Sequence, residues 1–229
     1  MPQIFHRSAN LISRVSIYGA VIILGLLTYV LYEIAMSPWY TEQYVTRQQP
    51  VPFSHRHHAG ELGIDCRYCH TSVETSSFAG LPPTQTCMTC HSQIWTNAEM
   101  LEPVRASYRT NQSLAWTRVN ALPDFVYFDH SIHVAKGMGC TTCHGPIASM
   151  SLTYREGTLY MSWCLDCHRQ PEKNVRPESQ VFNPFYQRPS GSHPIMVDGK
   201  EYTDQLGMGR ELVKDYKIQS LQYCSTCHR

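Results

Sequence analysis

Charge of one sign is missing from this 229-residue chain: 19 Lys and Arg face 18 Asp and Glu, a formal net charge of +1. Neither a polybasic tail nor an acidic one is present, so nucleic acid is not among the expected partners. The motifs of common catalysts are missing as well. The chain has no Gly-rich phosphate loop, no nucleophile elbow and no metalloprotease helix. Long apolar runs are absent beyond residue 36, which leaves one stretch able to cross a bilayer. Finally, no cysteine is left over once a single motif has been counted.

That motif is Cys-x-x-Cys-His, and five copies use all ten cysteines: Cys66–His70, Cys87–His91, Cys140–His144, Cys164–His168 and Cys224–His228. C-x-x-C-H is the attachment signature of c-type haem, in which two thiols add to vinyl groups and the adjacent His ligates iron. The cofactor-binding cysteines are thus Cys66 and Cys69, Cys87 and Cys90, Cys140 and Cys143, Cys164 and Cys167, and Cys224 and Cys227. His70, His91, His144, His168 and His228 are the proximal ligands. Zinc sites also use C-x-x-C pairs but need no His after the second Cys. With 12 His in the chain, five such His by chance is on the order of one in a million. Disulfides at this spacing would be poor staples, because they close no long loop. The chemistry to expect is electron transfer through five covalently attached haems c. Their ten propionates would carry the reduced, loaded protein to about −9, which suits a basic partner.

Val15 to Met36 reads VSIYGAVIILGLLTYVLYEIAM, 22 residues, enough to span about 30 Å of hydrocarbon. The run exceeds the 7–15 apolar residues of a signal peptide, and no A-x-A cleavage site closes it. Arg7 and Arg14 before it, with Trp39 and Tyr40 after it as interface anchors, orient it with the N-terminus cytoplasmic. Glu33 lies near the interface or against a partner helix. The remainder is expected on the periplasmic side of the inner membrane, where haem c is attached. The expected plan is a cytoplasmic tail (1–14), a transmembrane anchor (15–36), a linker (37–52) and a haem domain (53–229).

The haem domain repeats itself. Phe53-Ser54-His55-Arg56-His57-His58 precedes Cys66, and Phe128-Asp129-His130-Ser131-Ile132-His133 precedes Cys140, an offset of 75 residues from Phe53 to Phe128. Each block reads F-x-H-x-x-H, a haem motif, a short loop and a second haem motif, over 53–91 and 128–168. The motif at 224–228 stands alone. Regular secondary structure should be sparse: a short helix capped by Asn97 and restarted at Pro103, another over Arg210–Tyr216, and extended loop from Pro171 to Pro194. The fold class is one N-terminal transmembrane helix plus a multihaem domain of short helices and long loops, its core formed by five haems.

Of the seven His outside the motifs, His6 lies before the anchor, on the wrong side. His55, His58, His130 and His133 recur in both blocks and are the expected distal ligands. His57, next to one of them, is a propionate partner or exposed. Four ligands leave one iron short, and Met150, Met161 and His193 are the candidates. A thioether raises the potential, as a high-potential exit would need, and gap-filling against haem edges is the competing role for either Met. Arg118, Asp124 and Lys136 read as propionate contacts or solvated faces.

F-x-H-x-x-H before C-x-x-C-H resembles the class III cytochromes c (c3 and c7). That resemblance implies that His55 serves the His70 haem and His130 the His144 haem, while His58 and His133 reach haems elsewhere. LPDFVYFDHSIH, YMSWCLDCHR and LVKDYKIQSLQYCSTCHR, with the anchor, are similar to the pentahaem cytochrome c component of alternative complex III. The resemblance implies an electron-transfer subunit, not catalytic alone, in a respiratory or photosynthetic quinol-oxidising complex. Its implied partners are quinol-binding integral membrane subunits, a monohaem cytochrome c, an iron–sulfur subunit, and a soluble or membrane-bound acceptor. Two other readings compete with this one: a free-standing membrane-anchored quinol dehydrogenase, and a multihaem reductase with an open iron.

Overall fold

A run of mostly apolar side chains, with Ser8 just before it and Pro38 just past its end, sets the bounds of the longest helix. In the computed structural model, which describes residues 4–228, this helix, α1, runs Ala9–Met36. At 28 residues it is about 42 Å long, and mean hydropathy reaches 2.0 in its most apolar window, with none of that window buried. It is the one helix among the described residues long and apolar enough to cross a membrane. It starts six residues earlier than the apolar run, because Ala9–Arg14 carry no helix breaker. Ser37, forced into an extended conformation ahead of Pro38, ends it, and its hydroxyl donates to the Ile34 carbonyl at 2.6 Å. A single turn, α2 (Pro38–Thr41), follows. Met1–Gln3 of the expected tail, and Arg229, lie outside the described residues.

The chain divides into two compact units between Gln43 and Tyr44. Residues 44–52, expected as linker, are bonded into the second. The Tyr44 amide donates to the Arg155 carbonyl, Thr46 bridges Tyr154, and the Gln49 side chain pairs both ways with the Thr117 backbone.

Short helices dominate this second unit: α3 (Cys66–Cys69), α4 (Thr84–His91), α5 (Glu102–Thr110), α6 (His130–Ala135), α7 (Cys140–His144), α8 (Met161–Arg169), α9 (Gln205–Asp215) and α10 (Cys224–Cys227). A π-helical turn covers Arg56–Glu61, and one antiparallel hairpin pairs β1 (Ile195–Val197) with β2 (Lys200–Tyr202). Five of these helices carry the Cys pairs. An i, i+3 spacing puts both thiols on one side of a helical turn, and the His follows at i+4. Local caps hold the turns. Asp65 accepts from the Arg67 amide at 2.8 Å, and Asp129 accepts from the Ser131 and Ile132 amides.

The helix expected from Asn97 instead starts with a 3-10 turn at Glu99 behind Ala98, with Pro103 in the first turn of α5. Proline there lacks only an N–H that would go unbonded anyway. The helix expected over Arg210–Tyr216 begins earlier, at Gln205, because Asp204 caps it through the Gly207 amide at 2.6 Å. Pro171–Pro194 contains only single 3-10 turns, at Pro171–Lys173 and Glu178–Gln180.

Conventional core is thin. Among the described residues ten apolar side chains are buried, too few for a unit of this size to close by itself. Val51, Leu101 and Val104 form one cluster; Val175, Met208 and Leu212 form another, under Tyr186 and Tyr216. The second joins α9 to the Pro171–Lys173 turn, where the Gln205 amide donates to the carbonyls of Glu172 and Val175. Gly209 sits against the Glu172 carbonyl, with no room for a Cβ. Gly209→Ala is therefore expected to cost about 1–3 kcal/mol, read as a lower guanidinium midpoint of the intact protein. An unchanged midpoint would show that α9 can slide off the turn.

Candidate haem-binding sites

The F-x-H-x-x-H segments fold the same way in both blocks. Phe53 stacks on His58 at 4.5 Å and meets His55 edge-on at 4.9 Å; Phe128 stacks on His133 at 4.5 Å and meets His130 edge-on at 4.8 Å. The aromatic ring thus wedges the two imidazoles apart, although one segment is a π turn and the other α-helical.

Each of these imidazoles faces a motif His. His55 and His70 lie 6.5 Å apart, ring centre to ring centre, with planes 8° from parallel, and His130 and His144 lie 6.4 Å apart at 3°. His58 faces His91 at 6.2 Å and 70°, and His133 faces His168 at 6.1 Å and 68°. Metal–imidazole bonds of about 2 Å place the centres of two imidazoles on opposite sides of one metal about 6.3 Å apart. All four pairs have that separation. Among the described residues no three His, Cys, Asp or Glu side chains gather as a metal cage. Two opposed imidazoles beside a thiol pair suit a porphyrin that supplies the other four donors, and do not suit zinc.

The other ring nitrogen is engaged almost everywhere. Nδ1 meets a backbone carbonyl in His58 (Ser54, 2.9 Å), His70 (Gly80, 2.7 Å), His91 (Ile94, 3.2 Å), His130 (Ser77, 2.8 Å), His133 (Asp129, 2.6 Å) and His228 (Phe125, 3.1 Å). His55 uses the Thr153 hydroxyl at 3.0 Å and His144 the Asn120 amide at 3.2 Å. A carbonyl partner fixes the proton on Nδ1 and leaves Nε2 free for a metal, as in metal-ligating imidazoles generally. Burial lowers the pKa of His55 and of His144 to about 4, and lowers that of His133 as well. These rings are therefore neutral at pH 7, the state a ligand requires.

No two of the ten cysteines pair as a disulfide, so that reading has no support. Burial raises Cys69, Cys87, Cys164 and Cys167, and pushes Cys143 up to about 12. Neighbouring motifs come within electrostatic reach through their thiols: Cys69 with Cys87, Cys66 with Cys140, Cys143 with Cys164 and Cys167, and Cys164 with Cys227. In space the motifs follow one another as second, first, third, fourth, fifth. Exposed apolar side chains flank them, among them Ile94 and Trp95 beside His91 and Phe125 beside His228. A flat apolar macrocycle would cover such surface.

The remaining candidates separate clearly. His228 has no imidazole opposite it among the described residues, only Phe125 at 5.7 Å. Met150 is 3% exposed and Met161, at the start of α8, 66%. His193 is exposed and bridged to Ser190. His57 stacks on Trp95 and bonds Glu61. Lys136 is half-buried, and its ammonium donates to the Tyr216 carbonyl at 2.6 Å. The Nδ1 partners are invisible in the sequence. The one local signal is Gly80, at φ +84°, which turns the loop back onto His70.

Comparison with known proteins agrees with this geometry. Residues 33–116 match the class III cytochrome C family, and residues 126–229 match cytochrome c7 and related cytochrome c. A curated relative is the "Menaquinone reductase, multiheme cytochrome c subunit" of Nitratidesulfovibrio vulgaris (strain Hildenborough). It is 35% identical over 146 residues, covering 55% of this chain and 70% of the relative. Haem c is bound covalently, as in those families, and the chain belongs to the family of multihaem cytochromes c that includes this subunit.

Proposed function

We propose that the protein is the five-haem electron wire of a quinol-linked membrane complex of the alternative complex III type, passing electrons toward a periplasmic acceptor. The observation that carries this reading is the row of five motifs in which each adjoins the next. When bound, haem c supplies a one-electron ferric–ferrous couple at each motif. The chain's own residues would hold the haems: backbone carbonyls orient six of the rings, and burial favours the neutral form of His55, His133 and His144. His55 and His70 form one pair, His58 and His91 the second, His130 and His144 the third, and His133 and His168 the fourth. His228 is the fifth proximal ligand.

For the open side of His228 the two methionines differ. Met150 is enclosed by protein, with its backbone bonded to the Arg56 amide, so its thioether fills a gap. Met161 is open and lies one turn before Cys164, whose thiol senses Cys227 of the fifth motif. Met161 is the fifth distal ligand in this reading.

In this reading α1 anchors the protein in the inner membrane with its N-terminus cytoplasmic and the haem domain periplasmic. It lies beside quinol-binding integral subunits, a monohaem cytochrome c and an iron–sulfur subunit. The relative's name, which makes it part of a menaquinone reductase, favours a second reading, the same wire run toward the quinone pool. The free-standing quinol dehydrogenase is the remaining alternative.

Mass spectrometry of the mature chain should show five added haems, and any smaller number would end the wire reading. Electron paramagnetic resonance of the oxidised protein should resolve two low-spin classes of two haems each, near-parallel and crossed, because the angle between axial rings sets the splitting of the iron d orbitals. One class only would contradict the pairings.

Met161→His should lower the highest midpoint potential, whereas Met150→Leu should leave every midpoint in place. The reverse result would exchange their roles. Purified alone in detergent, the chain should take electrons from a reduced partner but fail to oxidise menaquinol. Turnover by the isolated chain would favour the free-standing dehydrogenase. Midpoints rising along the row away from the haem that exchanges electrons with the quinone-reactive partner would support quinol oxidation, and falling ones would support quinone reduction.

A further inference from the structure

The first and third motifs are counterparts in the duplication, with nearly identical ring pairs at 8° and 3°. Their electrostatic settings differ. Around the first, Asp65 stands just before Cys66 and is paired with Arg67 by two hydrogen bonds of 2.9 Å, both side chains about half exposed. These opposite charges cancel locally and are screened by solvent.

Around the third motif, Gly139 stands where Asp65 stands in the first. A Cβ there would collide with the guanidinium of Arg176. Arg176 is 4% exposed, and its Nη2 donates to the hydroxyls of Thr141 (2.9 Å) and Thr142 (3.0 Å), the two residues between Cys140 and Cys143. Its Nη1 donates to the carbonyls of Gln180 and Asn183, each at 3.4 Å. The plane of the group lies over Tyr186 at 4.5 Å.

Among the described residues no carboxylate pairs with this cation, and its buried Nε has no partner. Burial lowers the Arg176 pKa, but a guanidinium stays protonated in a protein. A buried cation with no side-chain carboxylate against it is costly, and neutral acceptors offset only part of that cost. As a structural clamp for the motif it could be replaced by a neutral amide. As a charge it could not.

We propose that Arg176 is a positioning residue that acts on the haem of the third motif through its fixed positive charge, raising that haem's reduction potential above that of its counterpart at the first motif. A cation in a low-dielectric setting disfavours the ferric state, which carries one more positive charge than the ferrous. The duplication would then contain a built-in step between its two halves, favouring electron flow from the first block into the second. The inference rests on the axial pairings proposed above.

The test is a potentiometric titration of the full-length, haem-loaded protein in detergent, followed by electron paramagnetic resonance of the near-parallel class. In the unaltered protein the two members of that class should titrate separately; if the class itself is missing, the pairings fail and this inference falls with them. Arg176→Gln should lower the midpoint of the higher member and merge the two, while Arg176→Lys, which keeps the charge but loses the fork, should hold them apart. Equal shifts in Gln and Lys variants would mean that geometry rather than charge is responsible, and would overturn the proposal, as would no shift in Gln. Should Arg176→Gln fail to load five haems, Thr142→Asp sets a carboxylate against an intact Arg176. It should lower the same midpoint, and an unmoved midpoint would overturn the proposal.

Discussion

One helical turn of this protein faces two haem motifs at once, and the rest of the second unit depends on that constraint. Residues three apart on a helix lie on the same side but not in the same direction, so His55 meets His70 while His58 meets His91. The Phe two residues before the first His makes the divergence rigid by filling the angle between the rings. The same device at Phe128, His130 and His133 produces the same separations. Close spacing of sites thus comes from one short turn per block rather than from an extensive scaffold, which is why so little regular structure suffices.

That economy moves the cohesion of the unit onto its ligands. The two buried apolar clusters are small, one of Val51, Leu101 and Val104 and the other beneath α9, and neither includes a motif His. Six of the donor rings are held by backbone carbonyls at Nδ1, and burial lowers the pKa of His55, His133 and His144. Covalent attachment makes haem c part of the polypeptide, so its apolar surface contributes to folding like a side chain.

Much of this is legible in the sequence, for reasons that are local. C-x-x-C-H, H-x-x-H and the apolar run at 15–36 carry their meaning within a few residues, and α9 covers most of the expected Arg210–Tyr216, starting five residues earlier because Asp204 caps it. The pairing of His58 with His91 and of His133 with His168 is not legible, because nothing local says which motif an outward ring will meet. Nor are the Nδ1 partners: Thr153 lies 98 residues from His55, and Ser77 lies 53 from His130. Arg176 is hidden in a proline-rich stretch that reads as plain loop, and only the missing Cβ of Gly139 betrays it.

The two blocks brace each other crosswise. The first ring of the early block leans on the Thr153 hydroxyl from the late block, and the first ring of the late block leans on the Ser77 carbonyl from the early one. Synthesis runs from the N-terminus, so His55 exists long before Thr153 does. The early half therefore waits, unbraced, for the later one, and maturation of the pair becomes a single cooperative event rather than two successive ones.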